Sequence, residues 1–287
     1  MKRILITGKG SYIGEHVKIF LSDYPHEYEV EELDMLGGNW ENFDFSNYDI
    51  VFHVAGLAHS TPDESQRDLY YEVNTDLVYK VAKKSKKSGI KQFIFMSSII
   101  VFGSGTLGTE FLIDENTVLN PDNFYGDSKK QAEIKIRDLD DDNFHVVILR
   151  PPMIYGPGSK GNYAKLSKLS KRTPVFPNYS NKRSMLYIDH LSEFIRLMIE
   201  NDESGIFYPQ NIEYVETVSL VKEIANVIQH HIFFIKLFNP FIKLLHKQKY
   251  VNKLFGNMII DKQLSCYKTN YNLYDFKETI RRTEMGE

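Results

Sequence analysis

Tyr125 and Lys129 stand four residues apart, so a helix that carries both puts a phenol and an ammonium on one face. Free tyrosine titrates near pKa ~10, and a fixed cation beside it stabilises the phenolate. A thousandfold bias toward the anion corresponds to roughly 4 kcal/mol and would let the phenol exchange a proton with an alcohol near neutral pH. Ser98 ends the apolar run at 91–98 (KQFIFMSS), where its hydroxyl could hold the same substrate oxygen. Spacing alone is a weak signal, because Tyr79 and Lys83 share it. Those two lie inside a helical stretch with no serine-bearing strand leading into it. Tyr125 has that context.

A second chemical signal opens the chain. The run at 2–7 stops at Gly8-Lys9-Gly10-Ser11-Tyr12-Ile13-Gly14 and passes into an amphipathic helix at 12–21. A glycine turn there brings backbone N–H groups to a helix N-terminus, where a pyrophosphate is favoured. Asp34 follows Gly14 by twenty residues, at the end of a strand at 28–33, and suits a ribose 2′-hydroxyl. Its charge repels a 2′-phosphate, and Met35, Leu36 and Gly37 bring no arginine to receive one. NAD is therefore favoured over NADP. The run Gly103-Ser104-Gly105-Thr106-Leu107-Gly108 fits the same glycine pattern, but Asp114, Glu115, Asn116, Asn120 and Pro121 follow it instead of a helix. It reads as a mobile loop near the active site.

These residues need a frame. Further strands are predicted at 49–55 and 144–149, and helices at 70–88 and from 128 to about 139. Strands alternating with helices from the first residue predict an α/β fold, a Rossmann-type doubly wound parallel sheet with a smaller C-terminal substrate-binding lobe. The expected division is 1–155 for the dinucleotide domain, with 185–210 returning to it. Residues 156–184 and 211–287 form the lobe. Met185 to Ile188 is the segment expected to rejoin the sheet.

Bulk properties exclude other classes. A net charge of -3 gives no field for nucleic acid. The lysines at 80, 83, 84, 86, 87 and 91 read as a solvated helix face near its C-terminus. One cysteine, Cys266, excludes an internal disulfide and a cysteine-rich zinc site, and no metal is expected. The opening residues are too short a run for a signal peptide, so a cytoplasmic location is expected. Residues 232–245 (IFFIKLFNPFIKLL) are too short and too interrupted to span a membrane. A helix pair packed inside the second lobe is the favoured reading, and a surface-lying anchor is the alternative.

The order of glycine turn, acid, Ser-Ser strand end and Tyr-Lys helix resembles the extended short-chain dehydrogenases/reductases, specifically the NAD-dependent nucleotide-sugar epimerase/dehydratase group. The resemblance covers nearly the whole chain. It implies pyrophosphate contacts at Gly8 and Gly14, a ribose contact at Asp34, and an adenine contact at Asp44 in Asp44-Phe45. It implies a cofactor wall at His53-Val54-Ala55-Gly56, with Asn74 in the next helix and Pro152 also on the cofactor side. Ser98, Tyr125 and Lys129 match the catalytic trio, and Arg183 matches the arginine that clamps a substrate diphosphate, a task for a planar bidentate donor. Arg150-Pro151-Pro152 and Tyr155-Gly156-Pro157-Gly158 resemble the entry to the sugar-nucleotide lobe, and the region from Asp261-Lys262 to Phe276, Ile280 and Arg281 resembles the C-terminal pattern. Two positions depart: Ser11 replaces the middle glycine, and Met153 stands where galactose-type epimerases carry an asparagine.

The resulting expectation is a UDP-hexose 4-epimerase-like enzyme that oxidises and re-reduces C4 of a nucleotide-diphosphate sugar. An NAD(P)H-dependent 4-ketoreductase of a nucleotide-linked deoxysugar, in surface-polysaccharide precursor synthesis, is the alternative. A non-catalytic NAD sensor is a third reading, since fold alone does not imply activity. The family resemblance also implies a homodimer.

Overall fold

The structure, a computed structural model, describes residues 1–58, 63–245 and 248–287. The chain divides into two compact units: Met1–Gly103 with Val118–Pro151 and Leu191–Pro209, and Ser104–Thr117 with Pro152–His190 and Gln210–Glu287.

The first unit is built on six strands, β1 (Lys2–Thr7), β2 (Tyr28–Leu33), β3 (Ile50–His53), β4 (Gln92–Met96), β5 (His145–Leu149) and β6 (Gly205–Phe207). They run parallel in the order β6-β5-β4-β3-β1-β2. Central strands covered on both faces should be apolar throughout, and β3 and β4 are buried at every position. The edge strand β2 alternates instead, with Glu29 and Glu31 exposed, which discourages pairing with another chain. From β1 the chain crosses to β2 on one side, while β3 lies on the other. That reversal opens a crevice at the carboxyl ends of β1 and β3.

Strand alternation sends Leu5, Val51, Phe93, Phe95, Val146 and Ile148 into one core cluster. Two helices, α2 (Val78–Lys87) and α3 (Phe124–Arg137), complete it with Val78, Val81, Ala82, Ala132 and Ile136. Ile6 points to the other face, where Gly14 of α1 (Tyr12–Leu21) packs against it. The helix Ile188–Glu200 is also tied to the sheet, as Gln92 Nε2 donates to the Met198 carbonyl at 2.9 Å.

Helix α3 starts at Phe124, ahead of the expected 128, because Asn123 caps it: Asn123 Oδ1 accepts from Gly126 N at 2.9 Å. Met185–Tyr187 does not rejoin the six-stranded sheet. It pairs with Met153–Tyr155, where Tyr155 and Tyr187 bury against each other, and Gly205–Phe207 is the strand that adds to the main sheet.

In the second unit Tyr155 is the centre of a polar-tipped core. Its ring stacks on Tyr163 at 5.2 Å, and its hydroxyl pairs with Thr279 Oγ1 at 2.7 Å and accepts from Asn211 Nδ2 at 3.0 Å. The segment expected as an internal helix pair takes another form. Phe233–Ile235 is a strand paired with Val175–Pro177, a short 3-10 turn follows, and Asn239–Leu244 is a single helical stretch. Most of its large apolar side chains face outward: Ile232 and Ile242 are buried and Phe234 and Ile235 half-buried, while the other six are exposed.

Candidate active site

The glycine turn needs its glycines. Gly8 has φ +120°, and a Cβ there would lie 2.8 Å from the Ala55 nitrogen. A Cβ on Gly14 would lie 2.6 Å from Ser11 Oγ and 3.0 Å from Ile6 Cγ2. Gly10 takes the left-handed conformation at φ +74°, one residue before the expected middle position. Ser11 is then free to be extended, at φ -74°, and caps the helix by accepting from Gly14 N at 3.2 Å. The turn thus keeps a backbone cradle with no side chain filling it, at the N-terminus of a helix that begins with Tyr12 and Ile13, both half-buried.

Around the cradle, Ala55 N and Val54 N bond the Thr7 carbonyl at 2.9 and 3.1 Å, which fixes the Val54-Ala55-Gly56 wall against β1. Asp34 is exposed at the end of β2, with Oδ1 accepting from Leu36 N at 2.9 Å. Asp44 is exposed as well, and hydrogen bonds from Ser46 hold its carboxyl below the usual range. The Phe45 side chain lies wholly in the core, so what it can offer a ligand is backbone. Glu32, not singled out in the sequence, ties β2 to the turn: its carboxylate accepts from Lys18 Nζ at 2.8 Å and from Gly10 N at 3.3 Å. The Lys18 hydrogen bond is the main cause holding its carboxyl low. A glycine cradle that no side chain fills, with a carboxylate at the next strand end, fits an NAD-type dinucleotide.

Lys129 is buried, with Nζ donating to the Met96 carbonyl at 2.9 Å and lying over the Phe95 ring. A Cβ on Gly56 would come within 3.3 Å of that amine, so the cofactor wall and the lysine are in direct contact. Burial pushes the Lys129 amine down to about 8. Tyr125, on the same helix, packs edge-on against Tyr70. The residue keeps part of its surface, but its phenol is desolvated. Burial, with Tyr70 adding to it, pushes that phenol up to about 12. The sequence predicted the opposite direction. With the amine anchored on a carbonyl and both groups out of water, each favours its neutral form.

Ser98 ends the segment after β4 and caps a 3-10 turn at Ile99–Phe102, its Oγ accepting from Ile100 N at 3.3 Å. The Ile100 carbonyl packs so close to Gly126 that a Cβ there would lie 2.7 Å from it. The serine turn and the tyrosine helix therefore meet backbone to backbone.

Asn74 lies in a π-helical turn, Glu72–Leu77, a local widening that recurs at functional sites. Its Oδ1 accepts from Leu57 N at 2.8 Å, and its Nδ2 donates to the Leu57 carbonyl at 3.1 Å and to Ser128 Oγ at 3.2 Å. Thr75 Oγ1 donates to the Ser128 carbonyl at 2.7 Å. The end of the cofactor wall is thus stitched to the helix between Tyr125 and Lys129. His53, at the head of the wall, is buried, with Nδ1 against Thr7 Oγ1 at 2.7 Å and Nε2 without a partner.

Beneath lies a buried ion pair that sequence reading missed. Arg150 Nε approaches both Glu133 oxygens at 3.1 and 3.2 Å, while Nη1 donates to the Tyr208 hydroxyl at 2.6 Å. Ser97 Oγ donates to Glu133 as well. Glu133 stands four residues after Lys129 on α3, which was the available signal.

In the second unit, Arg183 lines a hollow with Met153, Asn162, Leu166, Met185 and Val215. Its Nη1 donates to the Lys253 carbonyl, and burial of the guanidinium pushes it down to about 10. A desolvated cation bonded to a carbonyl is suited to an anion. Pro152 begins this unit's second segment.

Residues 4–209 match the NAD dependent epimerase/dehydratase family. The chain is 33% identical over 313 residues to a UDP-glucose 4-epimerase of Vibrio cholerae, covering 98% of this chain and 95% of that protein. It is 32% identical over 165 residues to an N-acetyl-alpha-D-glucosaminyl-diphospho-ditrans,octacis-undecaprenol 4-epimerase of Escherichia coli O157:H7, over 56% of this chain and 48% of that one. Among solved structures, a UDP-N-acetylglucosamine 4-epimerase of Methanobrevibacter ruminantium M1 matches at TM-score 0.76 and 18% identity, covering 99% of this chain and 97% of the other. At that identity the likeness is one of fold.

Proposed function

Because the chain belongs to the NAD dependent epimerase/dehydratase family, an enzyme family of the extended short-chain dehydrogenase type with NAD as cofactor, we propose that it interconverts C4 epimers of a nucleotide-linked hexose. The observation that carries this reading is the contact of Lys129 with the cofactor wall at Gly56, on the helix that also presents Tyr125. Gly8, Gly10, Ser11 and Gly14 would hold the pyrophosphate and Asp34 the ribose. NAD bound there supplies a hydride acceptor and donor.

The protein's own part is proton handling. Tyr125 would act as a phenolate that takes the C4 hydroxyl proton and returns it to the same oxygen when the ketone is reduced; burial favours the neutral phenol, so that phenolate needs a stabilising cation. Lys129 stabilises the phenolate once it forms. Ser98 holds the reacting oxygen. Arg183 takes the sugar-linked diphosphate, which relieves the burial of its cation. Met153 beside Arg183 supports a second reading, a 4-ketoreductase, because it replaces the amide of galactose-type epimerases.

Chromatographic assay of UDP-glucose and UDP-N-acetylglucosamine for their C4 epimers, with NADH absorbance followed in parallel, separates the two. An epimerase converts sugars without net NADH change, and a reductase consumes NADH on 4-keto sugars. Tyr125→Phe is expected to abolish turnover while leaving NAD affinity within about a few-fold. Full activity in that variant would overturn the proton-transfer role.

A further inference from the structure

We infer that the face formed by residues 232–245 docks the protein on an anionic lipid surface. This inference stands independently of the epimerase reading.

The segment is fastened by the pairing of Phe233–Ile235 with Val175–Pro177 and by a few side chains. Ile232 and Ile242 are buried, Phe234 packs on Phe176, and Asn239 Nδ2 donates to the Asn178 carbonyl at 2.9 Å. What remains outward is apolar: Leu237 is 73% exposed, Phe241 63% and Leu244 76%, with Phe233, Phe238 and Leu245 also in water. Monomeric soluble proteins rarely gather so many large apolar side chains on one exposed stretch without an occupant.

Charge says which occupant. Between Glu223 and Asp261 the sequence has five lysines, three histidines and no acidic residue, although the whole chain carries a net charge of -3. Lys236 and Lys243 are exposed among the apolar residues. Aromatic and leucine side chains interleaved with lysines are the composition of a segment that lies in the headgroup layer. A second copy of the chain is disfavoured: a two-fold interface sets a patch against itself, and here that opposes lysine to lysine with no acid to answer. Spanning is not open to this segment, since no helix among the described residues is long and apolar enough to cross a membrane.

Sedimentation of the intact protein with vesicles of phosphatidylcholine containing about a quarter phosphatidylglycerol, beside vesicles of phosphatidylcholine alone, tests this. The protein is expected to pellet with the anionic vesicles, to be released by added salt, and to stay in solution with the neutral ones. Lys236→Glu and the double variant Leu237→Ser, Phe241→Ser alter exposed side chains, and each is expected to lower partitioning by about tenfold or more. Trp40 fluorescence confirms that the variants remain folded. Three results would overturn the inference: no pelleting of the folded protein with anionic vesicles, pelleting that both variants leave unchanged, or a soluble dimer that the variants dissociate in the absence of any lipid binding. Pelleting does not read turnover, so it fails or succeeds apart from the sugar assay.

Discussion

At the scale of single residues, Lys129 is set apart from the other lysines by its surroundings. An exposed lysine titrates near ~10.4, whereas burial pushes this amine down to about 8. Its charged form is therefore disfavoured in the folded chain, and that penalty is present in full below pH 8. As pH rises through 8 the folded protein sheds this proton while the unfolded chain still holds it, so stability is regained between about 8 and 10.5. Direct titration can check the first of these. Reductive methylation with 13C-formaldehyde, followed by NMR of the cofactor-free protein, should show one dimethyl-lysine resonance with a midpoint near 8, absent from Lys129→Arg. A spectrum in which every lysine titrates near ~10 would mean that the amine is solvated. Tyr125 needs the same neighbours to be read correctly. Its spacing to Lys129 was plain in the sequence, but the sign of its shift was not, because desolvation depends on Tyr70 and on a helix packed from elsewhere in the chain.

At the scale of elements, helix α3 turns local sequence into site geometry. Asn123 caps it and Gly126 lets it approach the Ile100 carbonyl, so its first turn is fixed from two sides. Asn123→Ala removes the cap and should cost about 1 kcal/mol of stability, measured by urea unfolding. Tyr125 stands in that same first turn, so turnover should fall further than stability alone explains, and Asn123→Asp should restore both. Equal stability and turnover in the alanine variant would show that the turn is held without its cap. The cap was legible, since an asparagine directly before an apolar residue, here Phe124, marks a helix start, yet the predicted boundary passed over it to Ser128. The alternation of strands and helices was legible too, because parallel strands must be apolar and crossovers must be long. Two features were not. The π-helical turn around Asn74 has no compositional mark, and its reason is tertiary, the stitching of Leu57 to Ser128. The exposure of Leu237 and Phe241 also cannot be seen in a pattern that equally suits a buried helix.

At the scale of the whole molecule, both units bury a histidine in its neutral form, and this sets how the chain meets acid. His53 lies inside the first unit, and burial, aided by Lys129, pushes it down to about 3. His190 lies inside the second, where burial pushes it down to about 4 and Asn211 holds one ring nitrogen. In an unfolded chain these rings take protons near 6.5. Between that value and the folded one, the unfolded state binds the extra proton, so stability falls as pH drops through the window. For His53 the loss amounts to about 2 kcal/mol by pH 5. Trp40 is the only tryptophan and is buried in the first unit's core, which lets its fluorescence report that unit alone. Its urea midpoint should fall steadily from pH 6.5 to 5, a range above most carboxylate titrations. His53→Gln should flatten that slope, whatever it does to the midpoint at neutral pH, because it removes the group that takes the proton. If the variant keeps the slope of the parent, the acid sensitivity of the first unit comes from carboxylates and not from the histidine under its cofactor wall.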